Sequence, residues 1–128
     1  MGQRFLIDSN VVIDYLNGVL PLSGMNLVNN IINDLPLLSV ITKIEILSFP
    51  ARDRLRMEFV DFATILNLDS DVVNQTINIK KSCKIKLGDA IIAATAMVHS
   101  LTLVTRNIDD FKKIRNITTL NPWELLPA

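Results

Sequence analysis

Short apolar runs alternate with longer helix-forming segments along this chain, and the alternation restricts the fold more than any other feature. Apolar runs predict strands at residues 4–7, 37–40, 64–68, 101–105 and 118–120. Helical spacing of apolar residues predicts helices at about 10–17, 26–34, 41–48, 52–62, 70–83 and 87–99. Because strands that alternate with helices pair in parallel, we expect an α/β fold with a mostly parallel central sheet and helices on both faces. The 128 residues are expected to form one domain, 1–128.

Helix-ending and capping residues fall at the borders of these segments. Gly18 follows the first predicted helix, Pro36 follows the second and Pro50 follows the third. Ser70 or Asp71 is expected to cap the fifth. These positions support the predicted element boundaries.

Three carboxylates stand where one kind of element gives way to the next. Asp8 follows the first apolar run, Glu45 interrupts the apolar segment 41–47, and Asp89 opens the apolar segment 87–96. Ionised carboxylates in apolar surroundings are costly unless they are paired or bind a metal. In parallel sheets, sites lie beyond the carboxyl ends of strands, which is where Asp8 falls. We therefore predict one shared site with a divalent cation, the simplest way to hold several carboxylates together.

The formal net charge of zero conceals an uneven distribution of charge along the chain. Residues 1–79 carry five basic side chains against nine acidic ones, whereas residues 80–115 carry eight against three. A basic third of the chain around a buried acid suits a metal-dependent enzyme that acts on a polyanion. Alternatively, these lysines only solvate a loop and two helix faces.

Other functional classes lack their sequence signals. No Gly-rich phosphate loop is present, which disfavours nucleotide binding of the P-loop or Rossmann kind. A phosphatase with an Asp nucleophile has a second Asp two residues later, where this chain has Asn10. No uninterrupted apolar stretch is long enough to predict a membrane span. The single Cys83 cannot form an internal disulfide, which favours a reducing compartment, and we expect the cytoplasm.

Four stretches of the sequence together resemble the PIN-domain ribonucleases, especially the VapC-type toxins of bacterial and archaeal toxin–antitoxin pairs. The stretches are Leu6-Ile7-Asp8-Ser9-Asn10 and residues 39–45, 86–94 and 103–111. They occur in the family's order and span nearly the whole chain. The resemblance implies a three-layer PIN-like fold and an endoribonuclease that depends on Mg²⁺ or Mn²⁺.

The resemblance also implies roles for individual residues. The family's catalytic, metal-binding carboxylates map to Asp8, Glu45 and Asp89. Its fourth acid often stands where this chain has Asn107, so either Asn107 as a neutral ligand or Asp110 as the nearest acid takes that place. Apart from the resemblance, supporting hydrogen bonds are expected from Ser9, Asn10 and Thr105. The charge distribution predicts contacts with RNA phosphates from Lys80, Lys81, Lys84, Lys86 and Arg106.

Each acid also has a purely structural interpretation. Asp8 could only cap the first helix, and Asp89 could only complement the dipole of its helix. Glu45 could face solvent from an amphipathic helix, and Asp110 could be an ordinary turn residue. Because Asn107 stands in place of the family's fourth acid, the alternative function is a catalytically weak PIN-like module that acts through protein binding. Trp123 is expected to anchor the C-terminal tail by packing.

The resemblance implies two protein partners, a second copy of the chain and a small antitoxin whose C-terminal segment covers the active site. Independently, segment 41–62 and helix 87–99 carry more apolar surface than a small monomer can bury. Large exposed apolar patches usually mark interfaces, so we expect a homodimer.

Overall fold

The computed structural model describes residues 3–49 and 53–125, and within these ranges strands and helices alternate as expected. In chain order the elements are β1 (Phe5–Ile7), α1 (Ser9–Leu16), α2 (Leu22–Asp34), β2 (Leu37–Ser39), α3 (Val40–Leu47), α4 (Arg54–Phe62), β3 (Thr64–Leu66), α5 (Ser70–Ser82), α6 (Leu87–Val98), β4 (Thr102–Val104), α7 (Ile108–Phe111) and β5 (Thr119–Leu120).

The strands form a five-stranded sheet in the order β3-β2-β1-β4-β5, with β1 at its centre. Every neighbouring pair is parallel, and the register places Leu6 opposite both Leu37 and Leu103. The predicted α/β fold with a parallel sheet is confirmed. Because all strands run in one direction, their carboxyl ends share one edge, and Asp8 follows the central strand at that edge.

Successive strand residues point to opposite faces, so each strand supplies side chains to two separate cores. Leu6, Leu37 and Leu103 pack in one core with buried residues of α5, α6 and α7. Ile7, Leu38 and Val104 pack in the other core with buried residues of α1, α2, α3 and α4. The three layers follow directly: helices on one face, the sheet, and helices on the other face.

Short polar side chains at the helix starts satisfy free backbone N–H groups. Asp8 caps α1, Ser39 caps α3 and Asp53 caps α4. The predicted cap of α5 at Ser70 or Asp71 was wrong, because the preceding Asp69 accepts a hydrogen bond from the Val72 N–H at 3.0 Å.

One helix boundary and one additional helix differ from the prediction, and one predicted helix start lies outside the described residues. Helix α2 begins at Leu22 rather than at residue 26, because Pro21 has a backbone suited to a helix start and Gly24 is used inside the helix. The short helix α7 was not predicted, since four residues are too few to show a helical period. Helix α4 is described from Arg54, and the expected features at Pro50 and Arg52 lie outside the described residues.

The expected surplus of apolar surface is found in only one of its two predicted places. Residues 90–96 of α6 are buried, and the helix exposes one large apolar side chain, Leu87. In contrast, the α3–α4 region exposes six large apolar side chains: Ile44, Leu47, Phe49, Leu55, Met57 and Phe62. Across the described ranges, no helix has both the length and the apolar character needed to cross a membrane.

Candidate active site

Asp8 lies at the centre of the carboxyl edge of the sheet, and its side chain is almost fully buried, with 4% exposed. Its Oδ1 accepts a hydrogen bond from the Ser9 N–H at 2.8 Å. Its Oδ2 accepts hydrogen bonds from the Thr105 hydroxyl at 2.8 Å and from the Asn10 amide at 3.2 Å. Asp8 therefore does cap α1, but its carboxylate also has partners from a second strand end. A carboxylate has about four acceptor sites, so three donors leave room for one more ligand.

Ser9 connects Asp8 to Glu45. Its hydroxyl donates to Glu45 Oε1 at 3.1 Å, while its backbone N–H donates to Asp8. Although Glu45 is an exposed residue of α3, this hydrogen bond turns its carboxylate toward the end of β1 rather than into open solvent. The predicted supporting roles of Ser9, Asn10 and Thr105 agree with these contacts.

Asp89 stands in the first turn of α6, and Asp110 stands in the first turn of α7. The two side chains line the same cleft. Asp89 therefore has an acid beside it that belongs to a helix absent from the sequence prediction. The two neighbouring carboxylates extend the acidic group from Asp8 and Glu45 toward the basic third of the chain.

Burial and mutual repulsion act on three of these carboxyls in the same direction. Burial is the main cause that raises the pKa of Asp8, with a smaller contribution from the Asp89 charge, while hydrogen bonds from Thr105, Ser9 and Asn10 oppose it. Burial likewise raises the pKa of Glu45, helped by the charges of Asp8 and Asp89. The pKa of Asp89 is raised by burial and by Asp110, against an opposing effect of Lys86. Three acids from separate elements thus share one electrostatic field.

The loop after β4 orients the hydroxyl that holds Asp8. The Asn107 N–H donates to the Thr105 hydroxyl oxygen at 3.0 Å, which leaves the hydroxyl hydrogen for Asp8. The Asn107 side chain is exposed at the start of α7 and lines a second depression together with Asp110. Among residues 3–49 and 53–125, no three Asp, Glu, His or Cys side chains are grouped closely enough to enclose an ion by themselves.

A basic cleft of about 470 Å³ adjoins Asp89 and Asp110. It is lined by Lys80, Lys84, Ile85, Lys86, Asp89, Asp110 and Lys113. Two of its lysines hold the loop at 84–86 in place: Lys80 Nζ donates to the Ile85 carbonyl at 2.6 Å, and Lys113 Nζ donates to the Lys84 carbonyl at 2.5 Å. Lys113 was not among the residues selected from the sequence. Lys81 is exposed on α5 outside this cleft.

Arg106 makes a contact that the sequence did not indicate. Its Nη1 donates to Asp14 at 2.9 Å from Oδ2 and 3.2 Å from Oδ1, and half of its side chain stays exposed. Trp123 Nε1 donates to the same Asp14 Oδ2 at 2.8 Å, so the expected anchoring of the tail uses a hydrogen bond. One signal was available: like Asp8, Asp14 is an acid among apolar neighbours, in Val11-Val12-Ile13-Asp14-Tyr15.

The chain combines an all-parallel α/β sheet with carboxylates gathered at its carboxyl edge, and comparisons with known proteins match this description. It belongs to the PIN domain family, whose model matches residues 5–117. The expected resemblance is confirmed. The sequence matches no curated protein.

Solved structures from three bacteria share the fold over almost the full chain. A toxin–antitoxin complex from Klebsiella pneumoniae is 28% identical, with a TM-score of 0.70, and the match covers 94% of this chain and 98% of that one. FitAcB from Neisseria gonorrhoeae is 26% identical, with a TM-score of 0.75 and coverage of 94% and 99%. DNA-bound VapBC from Salmonella typhimurium is 20% identical, with a TM-score of 0.77 and coverage of 94% and 99%.

Proposed function

We propose that this chain is an endoribonuclease that depends on Mg²⁺ or Mn²⁺ and serves as the toxin of a VapBC-type toxin–antitoxin pair. The observation that carries the proposal is that Asp8, Glu45 and Asp89 come from different elements, that burial raises the pKa of each carboxyl, and that the Asp89 charge adds to the effect at Asp8 and Glu45. Such a group is unfavourable by itself, and a divalent cation is the natural compensation. The PIN domain family, whose members are typically nucleases, supports the choice of reaction.

The residues present fit a hard divalent cation. Mg²⁺ prefers oxygen ligands, usually one or two carboxylates together with retained waters, and Asp8 with Glu45 or Asp89 supplies such oxygens. When bound, the ion would lower the pKa of a water and neutralise charge on the phosphate under attack. Asp8 would be the central ligand, because Ser9, Asn10 and Thr105 already fix the direction of its carboxylate. Fixed carboxylates lose little freedom on binding an ion.

The test is an RNA cleavage assay on the purified chain with Mg²⁺, Mn²⁺ or EDTA. We expect cleavage with either ion and none with EDTA. Asp89→Asn should remove cleavage and weaken metal binding in a calorimetric titration. Its matched control is Asp71→Asn, which neutralises an exposed acid in the equivalent first turn of α5 and should behave as wild type. A wild-type chain that binds metal and RNA yet cuts nothing would instead favour the weak module that acts through protein binding.

The fourth position of the acidic group yields a separate prediction. Because Asn107 is neutral, the site has one charge fewer than the family pattern, and a second cation should enter mainly with the RNA phosphate. We expect Asn107→Asp to strengthen Mn²⁺ binding in calorimetry without RNA and Asp110→Asn to weaken it. The control is Asp109→Asn, because Asp109 pairs instead with Lys112 at 3.1 Å. Unchanged affinity in Asn107→Asp would mean that residue 107 does not face the ion.

The basic cleft is the proposed path of the RNA backbone away from the metal. Lys80 and Lys113 hold the loop, while Lys84 and Lys86 line the cleft without a hydrogen bond that would occupy their ammonium groups among the described residues. Lys81 and Arg106 stay predicted phosphate contacts, with the Arg106 guanidinium already shared with Asp14.

This path predicts a particular salt dependence of RNA binding. For a single strand, log affinity falls by about 0.7 per log unit of salt for each phosphate contacted. Lys84→Ala/Lys86→Ala should therefore flatten the slope by about 1.4 if each lysine meets one phosphate. The control replaces two exposed cations elsewhere, Lys43→Ala/Arg54→Ala, and should keep the wild-type slope. A slope unchanged by the cleft variant would place the RNA on another surface.

A protein partner is proposed from the neighbours and from one surface. The Klebsiella pneumoniae structure is described as a toxin–antitoxin complex, and we propose a small antitoxin as the partner of this chain. The six exposed apolar side chains of the α3–α4 region offer the contact surface, since patches of this kind usually mark interfaces. The homodimer expected from the sequence stays a prediction, to be measured by analytical ultracentrifugation.

A further inference from the structure

Asp14 is a buried carboxylate that the proposed metal site does not use. Its side chain is 11% exposed, and it receives the Arg106 guanidinium and the Trp123 indole N–H on the same Oδ2. These donors come from residues 92 and 109 positions later in the chain. A buried charge requires partners, so Asp14 holds two distant segments together.

The first of these segments is the C-terminal segment, residues 121–125. It follows β5, and Pro122 packs so closely on Gly24 of α2 that a Cβ at residue 24 would lie 2.1 Å from the Pro122 carbonyl oxygen. The Trp123 N–H donates to Asn121 Oδ1 at 2.9 Å, which shapes the turn that presents the indole to Asp14. The C-terminal segment is therefore seated on α1 and α2 at defined points.

The second segment is the loop after β4, which leads to the metal site. The Arg106 N–H donates to Asn10 Oδ1 at 3.1 Å, and the Asn10 amide donates to Asp8 Oδ2 at 3.2 Å. The preceding residue, Thr105, donates to the same Asp8 oxygen at 2.8 Å. Both donors to Asp8 Oδ2 therefore depend on where Arg106 is held, and Asp14 holds it.

We propose that Asp14 is a positioning residue that couples the seating of the C-terminal segment to the geometry of Asp8. Through Arg106 it fixes the loop that supplies or orients the donors to Asp8, and through Trp123 it ties that loop to the C-terminal segment. The chain of contacts runs from Trp123 to Asp14, Arg106, Asn10 and Asp8. This inference rests on the proposed function, because it assumes that Asp8 binds the metal.

The test measures Mn²⁺ affinity by calorimetry, without RNA, on full-length variants shown to be folded by circular dichroism at the same temperature. Asp14→Asn should weaken Mn²⁺ binding by about tenfold, since loss of a group that orients a metal ligand typically costs 10–100-fold. Trp123→Phe removes the indole N–H but keeps an aromatic ring, and it should give a smaller loss in the same direction. Asp61→Asn, a neutralised exposed acid on α4, should bind as wild type.

The double variant separates a coupled chain of contacts from two independent structural effects. If Trp123 acts through Asp14, adding Trp123→Phe to Asp14→Asn should weaken Mn²⁺ binding no further. Folded Asp14→Asn with wild-type affinity overturns the inference, and if that variant fails to fold, wild-type affinity in Trp123→Phe overturns it. A wild-type chain that binds no Mn²⁺ is a different outcome, because it refutes the proposed function itself.

Discussion

Replacing Asp8 by Asn is expected to abolish RNA cleavage while leaving the metal-free chain more stable than the wild type. The loss of cleavage should exceed about 100-fold, the upper range for residues that merely orient metal ligands. The gain in stability has an electrostatic cause. Burial raises the pKa of the Asp8 carboxyl above its ordinary value of 3.8, so the folded state prefers the proton more than the unfolded state does.

The difference in proton binding between the folded and unfolded states also determines how the stability gain of Asp8→Asn depends on pH. Between 3.8 and the raised folded pKa, the folded chain binds more protons than the unfolded chain, so the wild type loses stability as pH rises through this window. Asn carries no such cost. In urea unfolding with EDTA, the advantage of Asp8→Asn should therefore widen from pH 4 to pH 7, and added Mn²⁺ should stabilise only the wild type. An advantage that is absent, or that shrinks toward pH 7, would contradict the electrostatic explanation.

Gly24→Ala should destabilise the chain, although Ala is the better helix former by about 1 kcal/mol. The new Cβ would lie 2.1 Å from the Pro122 carbonyl oxygen, a distance at which α2 or the C-terminal segment must move. Overpacking of this kind typically costs about 1–3 kcal/mol. Urea unfolding measures the change in the free energy of unfolding. The adjacent Ser23→Ala, at an exposed position of the same helix, is the control and should be neutral or slightly stabilising.

If Gly24→Ala is instead as stable as Ser23→Ala, then α2 tolerates a shift of the C-terminal segment at no cost. Trp123 is the single tryptophan of the chain, so a shift of the C-terminal segment should change its fluorescence spectrum. An unchanged Trp123 spectrum together with unchanged stability would show that residues 24 and 122 are not in close contact.

The fold was largely predictable because its signals are local. A strand of three or four apolar residues and a helix with a regular apolar face can each be recognised within a short window of sequence. Their alternation is enough to predict a parallel sheet, and a parallel sheet brings strand ends to one edge. For that reason Asp8 could be selected from its place after a strand, whereas Glu45 and Asp89 were selected as acids in apolar segments and from the resemblance to PIN domains. Their roles as metal ligands stay predictions.

The remaining features depend on contacts between distant residues. The start of α2 was predicted too late because glycine disfavours a helix locally. The structure explains Gly24, since Pro122 packs so closely on this position that a side chain would not fit. The apolar neighbours of Asp14 indicate locally that this acid is buried, but its pairing with Arg106 and Trp123 has no local signature. Arg106 was selected as a phosphate contact on charge alone, and charge does not reveal whether a guanidinium is already engaged.

The hydrogen bond between Thr105 and Asp8 also bears on the order in which the protein is made. The two residues are 97 positions apart, so Asp8 leaves the ribosome well before the hydroxyl that orients it exists. At about 5–20 residues per second, the delay is roughly 5–20 s. A chain interrupted between residues 89 and 105 contains all three carboxylates, yet lacks the group that holds the central one. If the proposed function holds, translation products that stop before residue 105 should not cleave RNA, because they lack the hydroxyl that orients Asp8.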